Sequence, residues 1–254
     1  MKKTLTAERR NELAKILLTN GSVKVRELAE LFHVSTETIR KDIIYLDKEG
    51  IAKKSHGGAM AVSNNIIERP VSEKELVNAD IKAKIAEKAL SLITPSSTIL
   101  LDTGSTTYAL AKLLTLEKGL TIFTNSLKIA ALLTESDNDI FTFGGAVRRS
   151  SHGIVGHWAT NELNSITVNM AFLGTDGAKG SEGPCSSSFS EAEFKKNCVK
   201  RSNQTVVLTD STKFEITSIY NVCSWSDISY LVTDRESGLE LGQIIGEETE
   251  ILYV

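Results

Sequence analysis

The chain has 254 residues, enough for two ordinary domains, and at 41% hydrophobic it can bury a real core. It has no apolar run near the roughly 18 residues of a membrane span and no signal-peptide pattern in its basic start, MKKTLTAERRNELAKILL, so a soluble cytoplasmic protein without a membrane partner is expected. The net charge of −3 argues against nucleic acid until it is divided: residues 1–60 hold 12 Lys/Arg against 8 Asp/Glu and the remainder 17 against 24, a basic head on an acidic body.

In the head, a first helix spans about Thr6 to Thr19, with Ala7, Leu13, Ile16 and Leu17 as its apolar face and Asn20-Gly21 as its stop. A second, VRELAELF, turns Leu28, Leu31 and Phe32 inward. After the short connection HVS, Ser35 is a good N-cap for a third helix, Thr36 to about Glu49, with Gly50 at its C′ position. Ile39, Ile43 and Leu46 recur at spacings of four and three and face the core. Ser35, Thr36, Glu37, Thr38, Arg40 and Lys41 therefore sit at or near the N-terminal end, the part of a recognition helix that enters the major groove. Arginine pairs bidentately with guanine, while lysine is a point charge for phosphate. In IAKKSHGGA, alternating residues before Gly-Gly suggest a hairpin whose Lys53, Lys54 and His56 reach the DNA backbone. A three-helix bundle with a merely solvated cationic face is the plain alternative.

Residues 8–59 resemble the DeoR-type winged helix-turn-helix. That family shows a V-S-x-x-T-I-R-R-D-L core, a Gly ending the helix and a closing H-G-G-A. Here Lys41 stands for the usual second Arg and Ile43 for the usual Leu. The lysine forfeits bidentate geometry, which favours a phosphate role at position 41.

Residues 60–75 read as linker, small and polar with one proline, which divides the chain into 1–59, 60–75 and 76–254. ADIKAKIAEKALSLI then forms a helix with Ile81, Ile85, Ala89 and Leu92 on one face. Strand-like runs follow in TILLD, LTIFTN, DIFTFGG, NMAFLGTDG, TVVLTD and ISYLVTD. Helices lie between most of them, including STTYALAKLL, SLKIAALL and EAEFKKNCVKR. Apolar strands separated by helices argue for an α/β, Rossmann-like body with a mostly parallel sheet covered on both faces.

Five of these strands end in small polar turns: Asp102-Thr103-Gly104, Thr124-Asn125-Ser126, Gly144-Gly145, Gly174-Thr175-Asp176-Gly177 and Thr209-Asp210-Ser211. In an open parallel sheet such ends share one edge, where ligands bind. In LDTGSTTYAL, Gly104 permits a tight turn, and Ser105, Thr106 and Thr107 offer hydroxyls and amides at a helix N-terminus, where anions settle. A plain Ser/Thr helix cap is the alternative. Neither a Walker A loop nor G-x-G-x-x-G is present. Arg148, with Arg149 as competitor, is placed to clamp a phosphate. Glu191 and Lys195 are further candidates for the effector site, although two such residues four apart on a helix usually make only a surface ion pair. Asp210 and Lys213 at a strand end fit a pocket better. The three cysteines and four histidines show no metal-ligand spacing, so no metal or cofactor is implied.

The DeoR resemblance continues through ILLDTGSTTYALAKLL, TIFTNSLKIA, FGGAVRR, AFLGTDG, EAEFKK and VLTDSTKF, in order, with Ser105 for the common Thr. It implies a sensor domain related in fold to ribose 5-phosphate isomerase that binds a phosphorylated sugar, in a bacterial regulator, most often a repressor. Double-stranded operator DNA is the expected partner. Paired half-sites suggest a homo-oligomer, a dimer or tetramer. Two other readings stay open on the residues alone. One is a sugar-phosphate isomerase or hydrolase carrying a basic head, with Asp102, Asp176, Glu191 and Asp210 as acid/base groups. The other is a purely architectural DNA protein.

Overall fold

The computed structural model describes residues 6–20, 22–48, 52–55, 57–61, 70–235 and 241–254. It divides into two compact units, residues 1–66 and 67–254.

The head contains α1 (Thr6–Asn20), β1 (Ser22–Lys24), α2 (Val25–Leu31), α3 (Thr36–Lys48), β2 (Ala52–Ser55) and β3 (Gly58–Ala61). Leu13, Leu17, Leu28, Ile39, Ile43 and Leu46 form its core with Val23, Val25 and Ala59. The hairpin β2–β3 gains a third antiparallel strand, β1, which pairs with β3. Leu31 departs from expectation. Val25, Leu28 and Ala29 are the buried residues of α2, and Leu31 is 59% exposed. The helix ends at Leu31, so the next inward position falls in the turn, where Phe32 and Val34 pack on the core. That turn donates Val34 N to Ala29 O (3.0 Å) and His33 N to Glu30 O (3.2 Å), a Schellman closure with His33 left-handed at φ 52°. The expected C′ Gly50 and the side chains of Ala7 and His56 lie outside the described residues.

The body opens with α4 (Val71–Leu76) and α5 (Ala79–Leu90). It continues with β4 (Thr98–Leu101), α6 (Ser105–Leu114), β5 (Thr121–Thr124), α7 (Leu127–Leu133), β6 (Asp139–Thr142), β7 (Ala146–Val147), β8 (Ile154–Val155) and α8 (His157–Leu163). Then come β9 (Val168–Gly174), β10 (Cys185–Ser186), α9 (Phe189–Lys200), β11 (Ser202–Leu208), β12 (Tyr220–Asn221), β13 (Tyr230–Thr233), α10 (Leu241–Ile245) and β14 (Glu250–Tyr253). Residues 71–75, expected as linker, are thus helical. Val71 N donates to Ser150 O at 2.9 Å, which ties that helix to the body.

The main sheet runs β14-β13-β11-β9-β4-β5-β6, and every pairing in it is parallel. Alternate strand residues face opposite layers. Ile99, Leu101, Phe172, Val206 and Leu208 pack under α5, α6 and α7. Leu100, Ala171 and Leu173 pack with Phe194 and Cys198 of α9. The chain builds outward from β4 to β6, then returns to lay β9 on the other side of β4. The strand order therefore reverses between β4 and β9, and the carboxyl ends of those two strands flank the crevice where open α/β sheets take ligands.

Candidate DNA interface and ligand cleft

In the head, Ser35 caps α3 as expected. Thr38 N donates to Ser35 Oγ (3.1 Å), and the two hydroxyls are 2.8 Å apart. Thr36, Arg40 and Lys41 are exposed or half-exposed on α3, as is Thr38, and Lys53 and Lys54 are exposed on the edge strand β2. Arg40 Nη1 rests 3.4 Å from Glu37 on the same helix, a loose pair that leaves the guanidinium available. His56 lies outside the described residues. Asp42, which sequence pattern did not single out, is 1% exposed on the inner face of α3. Its two oxygens take Arg9 Nε at 2.7 Å and Arg10 Nε at 2.8 Å, locking α1 to the recognition helix. Arg10 also stacks 4.0 Å over the Tyr45 ring.

In the body, the strand-end turns do not all meet. Those after β4, β9 and β11 line a cleft of about 510 Å³, open mouth included, together with residues from α4, α9 and the loop at Ser151. Gly104, Ser105, Thr106, Asp176, Glu191, Lys195, Asp210 and Lys213 all line it. Asp102 and Thr107 lie fully buried just behind. Thr107 Oγ1 donates to the carbonyls of Asp102 and Gly104, both at 3.0 Å, so it braces the turn.

The other turns build walls. Asn125 is buried and donates Nδ2 to Ile154 O (3.0 Å), while Ser126 caps α7 by accepting from Ile129 N. Gly144 N donates to Glu162 Oε2 at 2.6 Å. Gly145 (φ +152°) is pressed against Val155 O, where an added Cβ would lie 2.7 Å away. These four residues are absent from the cleft lining because β5 and β6 lie away from the reversal point. Gly177, expected in the site, also stays out of the lining. It is required for close approach, since a Cβ there would meet Ile216 O at 2.3 Å.

Gly104 differs from expectation in its reason. At φ −162° and ψ 159° its backbone is extended, so no special turn angle is needed. Crowding explains the glycine instead: a Cβ would meet Thr107 Oγ1 at 3.0 Å and Asp102 Oδ1 at 3.4 Å.

Glu191 and Lys195 are no surface ion pair: both are buried, and both line the cleft. Lys195 Nζ reaches Asp102 Oδ2 (2.8 Å) and donates to Gly174 O (2.6 Å), while Gly174 N donates to the same Asp102 oxygen (2.9 Å). Burial acts to lower the Lys195 pKa, but the carboxylates of Asp102, Asp176 and Glu191 outweigh it and hold the ammonium well above its usual value. Glu191 Oε1 instead lies 2.7 Å from Arg148 Nη1. Burial raises the Glu191 pKa, partly offset by Lys195, a hydrogen bond from Ser151, and Arg148. Asp176 takes Lys74 Nζ at 2.7 Å and accepts from Ser187 through N (2.9 Å) and Oγ (2.8 Å). Burial opposes its ionisation, yet Lys74, Lys195 and these hydrogen bonds hold it far below the carboxylate range. Asp210 accepts from Asn78 Nδ2 (3.1 Å) and from Thr212 Oγ1. Lys74 and Ser151 went unforeseen, and Thr103 was read only as part of its turn. Thr103 Oγ1 donates to Ser151 O (2.8 Å), a contact between segments far apart in sequence that no local pattern encodes.

Of the helices that begin near the cleft, α4 and α5 have no side-chain cap. α7 and α9 fill their own first-turn amides with Ser126 and Ser188 side chains. α6 begins at Gly104, with no side-chain cap. Its unfilled amides and partial positive charge face a cleft that also presents Lys74, Lys195 and Lys213.

The DeoR-like helix-turn-helix domain matches residues 9–65, and the DeoR C terminal sensor domain matches residues 77–235. The chain belongs to the DeoR family. As a DeoR-family protein it is a DNA-binding transcriptional regulator with a sensor body. It is 34% identical over 93% of its length to the uncharacterised HTH-type transcriptional regulator YulB of Bacillus subtilis (strain 168), covering 91% of that protein. It is 32% identical to the HTH-type transcriptional regulator GolR of Listeria innocua, over 90% of this chain and 91% of that one. With the glycerol-3-phosphate regulon repressor of Escherichia coli (strain K12) it shares 27% identity over 94% of each chain. Among solved structures it is similar to ribose 5-phosphate isomerase A from Methanocaldococcus jannaschii over 54% of each chain (22% identity, TM-score 0.41). It is also similar to the full-length sorbitol operon regulator SorC from Klebsiella pneumoniae over 92% of this chain and 98% of that one (8% identity, TM-score 0.41). Likeness at that level says nothing of activity.

Proposed function

We propose that this DeoR-family protein represses a carbohydrate-metabolism operon and that a phosphorylated sugar, seated in the cleft, sets its affinity for the operator. One observation carries the reading: the N-terminus of α6, without a side-chain cap, opens into a cleft with three lysines. A phosphate monoester satisfies the orphan amides, and the hydroxyls and carboxylates around it suit sugar hydroxyls. The name of the glycerol-3-phosphate regulon repressor accords with this ligand class. In the head, Ser35 at the N-cap and Thr36, Thr38, Arg40 and Lys41 of α3 face the major groove, with Lys53 and Lys54 of the wing on phosphate. Two or more copies act together on paired half-sites in the cytoplasm.

The cleft binds its ligand without transforming it. Its carboxylates are engaged structurally: Asp102 on Lys195, Glu191 on Arg148, Asp176 on Lys74 and Asp210 on Asn78. Titrating labelled DNA from upstream of its own operon, with and without pentose and hexose phosphates, tests the switch. At least one ester should change affinity by about 5- to 150-fold, the usual span of allosteric coupling. If none does, the effector reading fails even though DNA binding stands. Sustained conversion of any ester would overturn the non-enzymatic reading.

A further inference from the structure

Lys74 enters the cleft from the helix by which the chain enters the body. The wing ends at Ala61 and α4 opens at Val71. This helix lies between the two matched family ranges. Its attachment is mostly polar, and part of it lies at the cleft. Val71 N donates to Ser150 O, beside Ser151 of the cleft wall. Lys74 pairs with Asp176, and Glu75 pairs with Lys128 at 2.6 Å. Just after the helix, left-handed Asn78 (φ 53°) donates to Asp210, and Lys82 donates to the carbonyls of Lys74 and Val77. Apolar anchorage is slight. Val71 is the buried residue of α4, whereas Leu76 is 83% and Val77 48% exposed.

The geometry points to α4 as a strap between cleft and head, and to Lys74 as a ligand-recognising residue. A phosphate ester at the N-terminus of α6 draws Lys74 off Asp176, and the strap then frees the point at which the head is tethered. This rests on the reading of the cleft as a phosphosugar site. Two features make the exchange feasible. The paired side chains are about one-fifth exposed, so a ligand can reach them. Asp176 also keeps Ser187 N, Ser187 Oγ and the nearby Lys195 when Lys74 leaves, so it is not abandoned as a bare buried charge.

Amide hydrogen exchange on the full-length protein tests this. Without ligand, Lys74→Gln should exchange residues 71–77 about tenfold faster than the wild type, with β4 and β9 unchanged. In a panel of inorganic phosphate with pentose and hexose phosphates, the ester that raises the wild-type melting temperature should bring α4 of the wild type to that faster rate. Lys74→Gln should bind the same ester at least about tenfold more weakly. Asp176→Asn also loses the pair, so its α4 should exchange as fast as that of Lys74→Gln. Unchanged protection of α4 in both variants, or ester binding that leaves α4 of the wild type protected, overturns the strap. Equal ester affinity of Lys74→Gln and wild type overturns the role of Lys74. All three results leave the phosphosugar reading standing. A panel in which no ester shifts the wild type overturns both.

Discussion

Among the described residues, Asp42 of the head and Asp102 of the body are the carboxylates least exposed to solvent, and the two are treated differently. In the head, Asp42 has both oxygens filled, by Arg9 and Arg10. In the body, Asp102 gives Oδ2 to Lys195 and Gly174 N, while its buried Oδ1 finds no hydrogen-bond partner among the described residues. That oxygen lies where a Cβ on Gly104 would come within 3.4 Å, at the mouth of the α6 turn. The head closes its buried charge and so fixes the recognition helix. The body leaves one half-satisfied beside the cleft. A fully satisfied polar cluster is scaffold, whereas an unsatisfied buried acceptor carries a desolvation cost.

The sharpest way to break this comparison is to remove one cation from each site. Lys195→Met strands the Asp102 carboxylate, which pairs with no other cation among the described residues, and should destabilise the body by about 3–5 kcal/mol in urea unfolding. Arg9→Met leaves Arg10 on Asp42, so the loss should be clearly smaller, on the order of 1–3 kcal/mol. Equal losses would mean that the second arginine contributes nothing and that the two sites are alike.

Next in size is the separation of output from input. Arg40→Ala should lower operator affinity by about 1–3 kcal/mol, the value of one bidentate base contact, and leave ester binding and melting temperature unchanged. Lys53→Ala should weaken all DNA sequences alike and flatten the salt dependence by about one unit of slope. Conversely, Gly104→Val should abolish ester binding, measured by thermal shift, because its side chain invades the turn, while DNA binding persists. Loss of both functions in either single variant would indicate a folding defect and undo the separation.

Much of this division was legible in the sequence. The periods of Ile39, Ile43 and Leu46 and the cap at Ser35 locate the recognition helix from local rules. STTYALAKLL is helical over its whole length. The polar strand ends share one edge because every pairing in the main sheet is parallel. What sequence did not show was which ends converge, because that depends on strand order: β9 returns to β4, leaving Asn125, Ser126, Gly144 and Gly145 to brace walls. Spacing likewise suggested that Glu191 and Lys195 pair with each other. Tertiary neighbours claim both, since Arg148 and Asp102 arrive from segments that helical periodicity does not see. Lys74 was invisible because its helix is six residues long and sits in a stretch whose composition reads as linker.

A last effect concerns Lys82, which holds the end of the strap from α5. Lys82 is 4% exposed on α5, and burial lowers its pKa to about 8. Asp210 and Glu75 pull it up, while Lys213 and Lys74 push it down further. The unfolded chain carries this ammonium up to its ordinary value of 10.5. Between pH 8 and 10.5 the unfolded state therefore binds a proton that the folded state has released, and this group's contribution to stability rises with pH. Below pH 8 both states are charged and its contribution is flat. Each pH unit crossed inside that window is worth at most about 1.36 kcal/mol. Comparing urea unfolding at pH 7 and pH 10, the wild type should therefore gain roughly 1–3 kcal/mol relative to Lys82→Met. The sign carries the argument: a lysine charged at pH 7 caps the end of α4 at a desolvation cost, so the strap is held by a strained interaction rather than by a relaxed one. A gain of the same size in Lys82→Met would assign the pH dependence to other groups and leave the end of α4 as an ordinary helix terminus.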